Sequence, residues 1–298
     1  MFLIRQTHSW LSTRLSRRGV LAAAFVLVVS QIMACAPVEE MSRTYQKKTA
    51  QEVGLGQSCP QCNQRYQSFK GLNMAGANYR GGYFFNANFN RSVLVGVNFE
   101  SATLVYADFE RADMSNANLS KADLTRATMY GATLRGADLT FATMNEAAME
   151  AVELTDADLA TANLRGAKLT NAFANRANFR SADMRRAILA GANLSNANLE
   201  GADLTGADLS GVDLTMANLQ NAQLKGANLS NAIIDYTILI EADLSGADLR
   251  GARIHGANLK RANFSRANLQ GAQISSVVNS RTNYCNARMP NGKSGLCE

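Results

Sequence analysis

Residues 192–204 read Ala-Asn-Leu-Ser-Asn-Ala-Asn-Leu-Glu-Gly-Ala-Asp-Leu, a five-residue unit in which Ala lies two positions before Leu. The unit keeps one register from Met74 to Ile274, a span with 41 central positions. Leu, Ile, Met or Phe occupies 39 of these positions, and the exceptions are Tyr79 and Ala174. Ala lies two residues before the centre in 34 of the 41 units. A repeat sustained over this length dictates the architecture of the region.

A period of five residues argues against a helix and favours a short strand followed by a turn. Successive residues of a helix are rotated by about 100°, so residues five apart would scatter around its surface. In a strand, residues two apart face the same side. Ala and the central residue therefore point inward together, and the Asn or Asp between them points outward. The other two residues of each unit, often Gly, Asn, Ser or Thr, suit a turn. The pattern predicts an all-β fold.

This repeat resembles that of the pentapeptide-repeat family, over about residues 69–274. The resemblance implies a right-handed quadrilateral parallel β-helix with four pentapeptides per coil, capped at both ends. The units then make about ten coils, and a strand spacing of about 4.8 Å gives a stack roughly 50 Å long. Outward Asn and Asp are expected to form columns in which amides hydrogen-bond from coil to coil. Ala174, next to Phe173, predicts a local defect or bulge, with Phe173 folding back over the gap.

The N-terminal region has the pattern of an export signal. A basic segment ends at Arg17 and Arg18, and an apolar run follows from Gly19 to Met33, as is typical of such signals. The run of residues 16–21, Ser-Arg-Arg-Gly-Val-Leu, resembles a twin-arginine signal, and the alternative is a general secretory signal.

The segment of residues 32–35, Ile-Met-Ala-Cys, resembles a lipobox, which implies that Cys35 carries lipid. The alternative is an uncleaved membrane anchor. Ala36 follows the cysteine, and the absence of Asp there implies sorting to the outer membrane of a Gram-negative cell. The predicted organisation is a signal peptide (1–34), a lipidated Cys with a tether and N-terminal cap (35–58), the β-helix (59–274) and a disulfide-closed cap (275–298).

Charge excludes one class of partner. The full chain has a net charge of +6, and removal of the signal takes away four arginines and no acid. The remaining chain has 26 basic and 24 acidic residues, a net charge of +2. A value this close to zero gives no global case for nucleic-acid binding.

The cysteines are expected to pair at the two ends of the stack. With Cys35 lipidated, Cys59 and Cys62 lie before the repeat, and Cys285 and Cys297 lie after it. An exported chain meets an oxidising compartment, which favours disulfides. The ends are roughly 50 Å apart, whereas a disulfide needs Cα atoms within about 7 Å. The expected pairs are therefore Cys59–Cys62 and Cys285–Cys297, and a single zinc site built from all four is excluded.

Little in the sequence points to catalysis. Beyond the signal, His255 is the one histidine, and its register places it outside the stack. One exposed His does not build a Ser/His/Asp or Cys/His arrangement. The Cys-Pro-Gln-Cys segment at 59–62 resembles a redox motif, but no thioredoxin-like pattern surrounds it, which favours a structural pair. The sequence thus predicts no enzyme activity, no metal site and no cofactor.

Departures from the repeat mark candidate binding surfaces. An apolar patch is expected where four residues point outward near the end of the repeat: Ile233, Tyr236, Ile238 and Ile240. Such a patch suggests a protein partner or a homodimer contact, and the alternative is cover by the tail or a neighbouring side chain. A basic patch, which could bind an anionic surface or simply be a solvated face, consists of Arg126, Arg165, Arg185 and Arg186. A second apolar region near the start contains Tyr83, Phe85, Val93, Val95, Val105 and Tyr106.

The sequence favours a non-catalytic, membrane-tethered lipoprotein that acts as a periplasmic scaffold or protein-interaction module. Its expected partners are the outer membrane, through lipid on Cys35, an unidentified protein and a second copy of the chain; nucleic acid is not expected. The best-understood members of the family mimic DNA and protect gyrase, which implies a strongly acidic cytoplasmic protein. This chain departs from that on both counts. Binding of a glycan or of cell-envelope material is a further alternative.

Overall fold

The structure, a computed structural model, describes residues 59–297. The outward residue of each unit forms a parallel bridge with the residue 20 positions further along the chain, as Asn178 does with Asn198. Twenty residues therefore make one coil, which corresponds to four pentapeptides. The coils stack as a right-handed quadrilateral β-helix, and the fold predicted from the sequence is confirmed.

Strand structure is reduced to single bridges almost everywhere. Within residues 59–297, only β1 (Arg253–His255) and β2 (Gln273–Ser275) are longer than one bridging residue. These two strands pair in parallel, with Ile254 opposite Ile274. Each of the other units contributes one bridging residue, because the residues between successive bridges form the β-turn at the corner of the coil. None of the described residues belongs to a helix long and apolar enough to cross a membrane.

Each corner is a β-turn that explains the composition of the unit. The Ala197 N–H donates to the Leu194 carbonyl at 3.0 Å, and the third turn residue, Asn196, has a φ of 59°. A positive φ at this position is the feature of a type II turn. The outward Asn193 accepts a hydrogen bond from the Ser195 N–H through its side-chain oxygen at 3.0 Å. The repeat therefore prefers Asn or Asp between strand and turn, since these side chains bind the turn amide.

The core is a column of apolar side chains on each inner face. Phe69, Phe89 and Phe109 stack with ring centroids 4.9 and 4.8 Å apart and interplanar angles of 8° and 3°, which matches the spacing of hydrogen-bonded strands. Gly82 takes the usual Ala position in this aromatic part because a Cβ there would lie 2.5 Å from the Phe84 ring. The small residue at position 82 thus makes room for the large ring of Phe84 in the same unit.

The expected columns of outward Asn and Asp side chains are present. Asn178 donates to Asp158 at 2.9 Å, and Asn198 donates to Asn178 at 3.2 Å. The same contact joins Asn228 to Asp208 at 2.9 Å. Hydrogen bonds from side chain to side chain therefore run along the stack beside the backbone ladder.

The expected bulge at Ala174 is wrong. Phe173 bridges Glu153 in the preceding coil and Asn193 in the next, so the ladder is continuous. Its side chain is 51% exposed and does not fold over the core, while Ala174 is buried. The next central residue of the same coil is Phe179, which is fully buried. A large side chain beside a small one keeps the volume of this core layer, so the backbone needs no adjustment.

The C-terminal end keeps the coil geometry beyond the last leucine repeat. Asn258 bridges Val278 and Asn263 bridges Asn283, so the ladder extends into the segment that the sequence assigned to the cap. The tail then folds back, and a disulfide joins Cys285 to Cys297 with Cα atoms 4.2 Å apart. The expected pairing at this end is therefore present.

The other cysteine pair differs from the expectation, because the structure does not join Cys59 to Cys62 by a disulfide. The two residues occupy a repeat corner, in which Cys59 is a central residue and Cys62 takes the buried Ala position. The Cys62 N–H donates to the Cys59 carbonyl at 3.2 Å. Pro60 is the second turn residue, where type II turns favour proline. Turn geometry thus accounts for this spacing.

The corner geometry predicts how a substitution at Gly226 affects stability. Gly226 has a φ of 64°, and a Cβ added there would meet nothing within 4 Å. Gly226→Val should lower the free energy of unfolding by about 1–2 kcal/mol, because a β-branched residue is strained at positive φ. Gly226→Asn is the matched control and should cost less, since Asn tolerates this region. Urea unfolding monitored by circular dichroism measures both, and equal losses would contradict the strain argument.

Volume balance between Ala174 and Phe179 predicts coupled effects. Ala174→Leu alone should overpack the core layer and Phe179→Leu alone should leave a cavity, each at a cost of about 1–3 kcal/mol. The double variant restores a layer of ordinary size and should be more stable than the sum of the two losses implies. A double-mutant cycle by urea unfolding gives the coupling energy, and strictly additive losses would show that the two positions are independent.

Candidate interaction surfaces

The apolar patch lies outside the core, as its register predicts. Tyr236 is 53% and Ile238 is 38% exposed, while Ile233 and Ile240 are half-buried. Each comes from an outward or corner position of two consecutive units. Ile238 is therefore the aliphatic side chain of the patch that is most available to another molecule.

Part of this patch is covered by the next coil. A Cβ added to Gly256 would lie 2.6 Å from the Tyr236 ring, so the ring lies directly over this glycine. The ring also makes an edge contact with His255, with centroids 5.3 Å apart. Thr237, between the patch residues, is fully buried and donates its hydroxyl to the Leu214 carbonyl at 2.8 Å. These contacts hold one side of the Tyr236 ring against the next coil, while Tyr236 and Ile238 both remain exposed.

His255 takes part in a column of polar residues that is not a catalytic triad. Asp235, His255 and Ser275 occupy the same position in three successive coils, and His255 Nδ1 lies 2.9 Å from Ser275 Oγ. A serine triad needs the carboxylate at Nδ1 and the serine at Nε2. Here the Asp235 carboxylate accepts from the backbone N–H of His255 at 3.3 Å and from Arg253 at 2.8 Å. The hydrogen bond from Arg253 lowers the pKa of Asp235.

The predicted basic patch is largely neutralised by carboxylates. Arg126 donates to the Tyr106 hydroxyl at 2.7 Å and to Glu146 at 2.8 Å, and these hydrogen bonds raise the pKa of Arg126. This guanidinium is already occupied by a neighbour one coil away on each side. It is therefore a poor candidate for binding an anion.

The next two arginines of the patch share acidic neighbours. Arg185 binds Asp183, and its hydrogen bond lowers the pKa of that carboxyl. Arg185 also lies 3.4 Å from Asp203, and Arg165 lies 3.9 Å from Asp183. Of the four patch residues, only Arg186 has no ion pair with a described residue. The pairing opposes the anion-binding interpretation of this patch.

An aromatic strip runs along one corner at the N-terminal end of the described region, formed by Tyr66, Phe85 and Tyr106. Phe85 makes edge contacts with both tyrosines, at centroid distances of 5.5 and 5.7 Å. Tyr66, 68% exposed, was missed by sequence reasoning, which began the register at Met74. Extension of the 20-residue period back from Tyr106 would have found it.

The remaining predicted sites lie partly outside and partly within residues 59–297. Arg17, Arg18 and Cys35 lie outside the described residues. Across residues 59–297, no group of three or more His, Cys, Asp or Glu side chains is arranged to hold a metal ion.

Comparison with known families identifies the repeat. The model of the family described as Pentapeptide repeats matches in eight copies, which together cover more than half of the chain. The matched segments are residues 83–120, 92–131, 117–156, 129–171, 157–196, 192–231 and 242–278. No curated protein matches the chain.

Several solved structures are similar to this chain. HetL, a pentapeptide repeat protein involved in heterocyst differentiation regulation from the cyanobacterium Nostoc sp. strain PCC 7120, is 32% identical over 78% of this chain and 92% of its own, with a TM-score of 0.36. Rfr23 from the cyanobacterium Cyanothece 51142 is 35% identical over 34% of this chain and 58% of its own, with a TM-score of 0.22. QnrB1, a plasmid-mediated fluoroquinolone resistance protein, is 18% identical over 70% and 84%, with a TM-score of 0.34. Because the family model matches more than half of its residues, the chain belongs to the pentapeptide-repeat family.

Proposed function

We propose that this protein is a non-catalytic interaction module, tethered to the outer membrane by lipid on Cys35 and facing the periplasm. The observation that carries the interaction role is the coil geometry, in which a filled apolar core leaves outward columns of side chains on flat faces. Such faces suit binding to another macromolecule better than enclosure of a small substrate. The lipobox-like segment at 32–35 and the twin-arginine-like pair Arg17 and Arg18 support the export and the tether.

Absence of a catalytic arrangement among the described residues fits this proposal. His255 is held by Ser275 and by the edge of Tyr236, and the nearby Asp235 is engaged by Arg253. The Asp235 carboxylate accepts from the backbone N–H of His255, an arrangement that differs from the carboxylate–imidazole contact of a serine triad. Family membership supports the same view, since pentapeptide-repeat proteins are generally structural or interaction modules.

The apolar patch is the surface we propose for a protein partner, with a second copy of the chain as the first candidate. Ile238 is exposed beside the half-buried Ile233 and Ile240, and a cluster of this kind on a soluble surface suggests a contact. DNA mimicry of the kind that would bind gyrase is disfavoured, because the chain without its signal has a net charge of +2 and a DNA mimic must be acidic.

Binding of a glycan is a second candidate function, favoured by the aromatic strip. Tyr66 and Tyr106 are exposed on either side of Phe85, and aromatic rings offer large contact surfaces with a polar end. Arg65 lies over the nearby Tyr83 ring at 5.6 Å. The strip is confined to the first coils of the described region.

Membrane fractionation of the native-host protein tests the tether. The wild type should sediment with the outer membrane, whereas Cys35→Ser should not be acylated and should leave that fraction. Metabolic labelling with a fatty acid identifies the acylated species. Recovery of both proteins in the cytoplasm would overturn the lipoprotein proposal.

Self-association through the apolar patch is tested with a matched pair of variants. Ile238→Asp should reduce a dimer to a monomer in light scattering, because an unpaired carboxylate would be buried in the contact. Ile188→Asp is the control, since Ile188 occupies an equivalent bridging position on another face and is 37% exposed, against 38% for Ile238. A mass that is the same in all three proteins would exclude the patch as a dimer contact.

A further inference from the structure

Charge is distributed unevenly along the stack, and the last coils are strongly basic. Residues 249–298 contain eight Lys and Arg residues and one acid, Glu298. The rest of the repeat contains both acids and bases, and some of them pair between coils, as Arg126 and Glu146 do. Cations of the last coils beyond the reach of Asp235, Glu241 and Asp248 therefore have no carboxylate to bind.

A groove at this end of the stack brings together two cations without an ion pair, Arg266 from the basic segment and Lys225 from an earlier coil. It has a volume of about 450 Å³, and both Lys225 and Arg266 line it. The two residues are separated by two coils, or about 10 Å at the spacing of hydrogen-bonded strands. Neither forms an ion pair with any residue in the 59–297 range. Both side chains are exposed and can turn toward a ligand between them.

The base of the groove supplies small hydrogen-bond donors and open space. Ser245 and Ser265 lie in the same column as Lys225, and their hydroxyls make no hydrogen bond to a described residue. Gly246 follows Ser245 and lies one coil before Arg266 in the same column, and a Cβ added there would meet nothing within 4 Å. The groove is open where a compact ligand would have to sit.

One carboxylate, that of Asp243, lies at an outward position of the same face. Its Oδ1 accepts hydrogen bonds from the Ser245 N–H at 2.9 Å and from Asn263 Nδ2 at 2.9 Å. These two hydrogen bonds hold the Asp243 carboxylate against the backbone turn and the neighbouring Asn263. It lowers the positive potential of the groove and does not neutralise either flanking cation through an ion pair.

We infer that this groove, which we call the phosphate groove (Lys225, Ser245, Gly246, Ser265 and Arg266), binds a phosphate group. Two cations without an ion pair and two hydroxyl donors in the lining of one groove match the oxygens of a tetrahedral oxyanion. The glycine corner allows the ligand to approach the backbone. The site is distinct from the apolar patch and from the basic patch, and it does not depend on the proposed tether.

Titration of the folded protein with inorganic phosphate at constant ionic strength tests the site. Backbone amide signals of Ser245, Gly246, Ser265 and Arg266 should shift with a saturable dependence on phosphate concentration in NMR spectra. Sodium chloride at the same ionic strength is the reference, because nonspecific attraction of anions is screened alike by both salts. Shifts that follow ionic strength without regard to phosphate would overturn the inference.

Two kinds of variant test the contribution of the cations and the contribution of the open space in the phosphate groove. The double variant Lys225→Gln/Arg266→Gln should weaken phosphate binding by about tenfold or more, since it removes two charge-assisted contacts. Arg250→Gln, which removes a cation already bound to Asp248, should leave the affinity unchanged. Gly246→Asn keeps the charge and fills the groove, so it should also weaken binding. Gly211→Asn, at an open corner on another face, is its control.

The source of the phosphate is resolved with vesicles. The assay uses the non-acylated Cys35→Ser protein, since an acyl chain would insert into either kind of vesicle. Its sedimentation with phosphatidylglycerol but not phosphatidylcholine vesicles, lost when Lys225→Gln/Arg266→Gln is added, would assign the groove to a lipid headgroup. Saturable binding of inorganic phosphate without sedimentation would assign it to a soluble phosphate compound. Binding of neither probe, or equal binding by the double variant, would overturn the inference, while the outcome for the Cys35 tether is read separately by fractionation.

Discussion

Backbone hydrogen bonds between successive coils are the constraint on which every other feature depends. The Leu199 N–H donates to the Asn218 carbonyl at 2.7 Å, and the Asn218 N–H donates back to the Ala197 carbonyl at 2.9 Å. The same exchange recurs in successive five-residue units, and each bridge joins residues 20 positions apart. Ala fits beside the central residue because each coil has little room at its corners. Residues whose numbers differ by 20 therefore lie in the same column, and each residue has its neighbours in space one coil before and one coil after it.

Much of the fold follows from the sequence because the repeat acts locally. A five-residue period gives strand and corner, and the inward position of Leu199 or Leu204 can be read without a structure. The number of faces came from the family resemblance, since the period fits three or four corners equally well. The bulge expected at Ala174 does not form, because the large side chain that compensates for this small residue, Phe179, belongs to the next unit. The spacing of Cys59 and Cys62 likewise resembled a disulfide motif but arises from a turn.

The candidate sites were less predictable because uncompensated charge depends on residues 20 positions away. The 20-residue period places Arg126 and Arg185 on one face. In the structure, however, each forms an ion pair with a carboxylate of the next coil, Arg126 with Glu146 and Arg185 with Asp203. Surface ion pairs of this kind add little to stability, but they remove positive charge that an anion could use. Lys225 and Arg266 look no different in the repeat. They differ because the neighbouring positions of their columns hold Ser, Gly and Asn.

A regular β-helix separates the residues that fold the chain from the residues that can bind. Inward Leu and Ala maintain the stack, and Asx side chains such as Asn193 close the corners. The remaining outward positions carry almost no folding requirement, so substitutions there change a surface while they leave the backbone in place. Tyr66, Ile238 and Arg266 are departures of this kind, on different parts of the stack. A chain built in this way presents several independent surfaces on one rigid support, which suits a protein that brings partners together better than one that transforms a substrate.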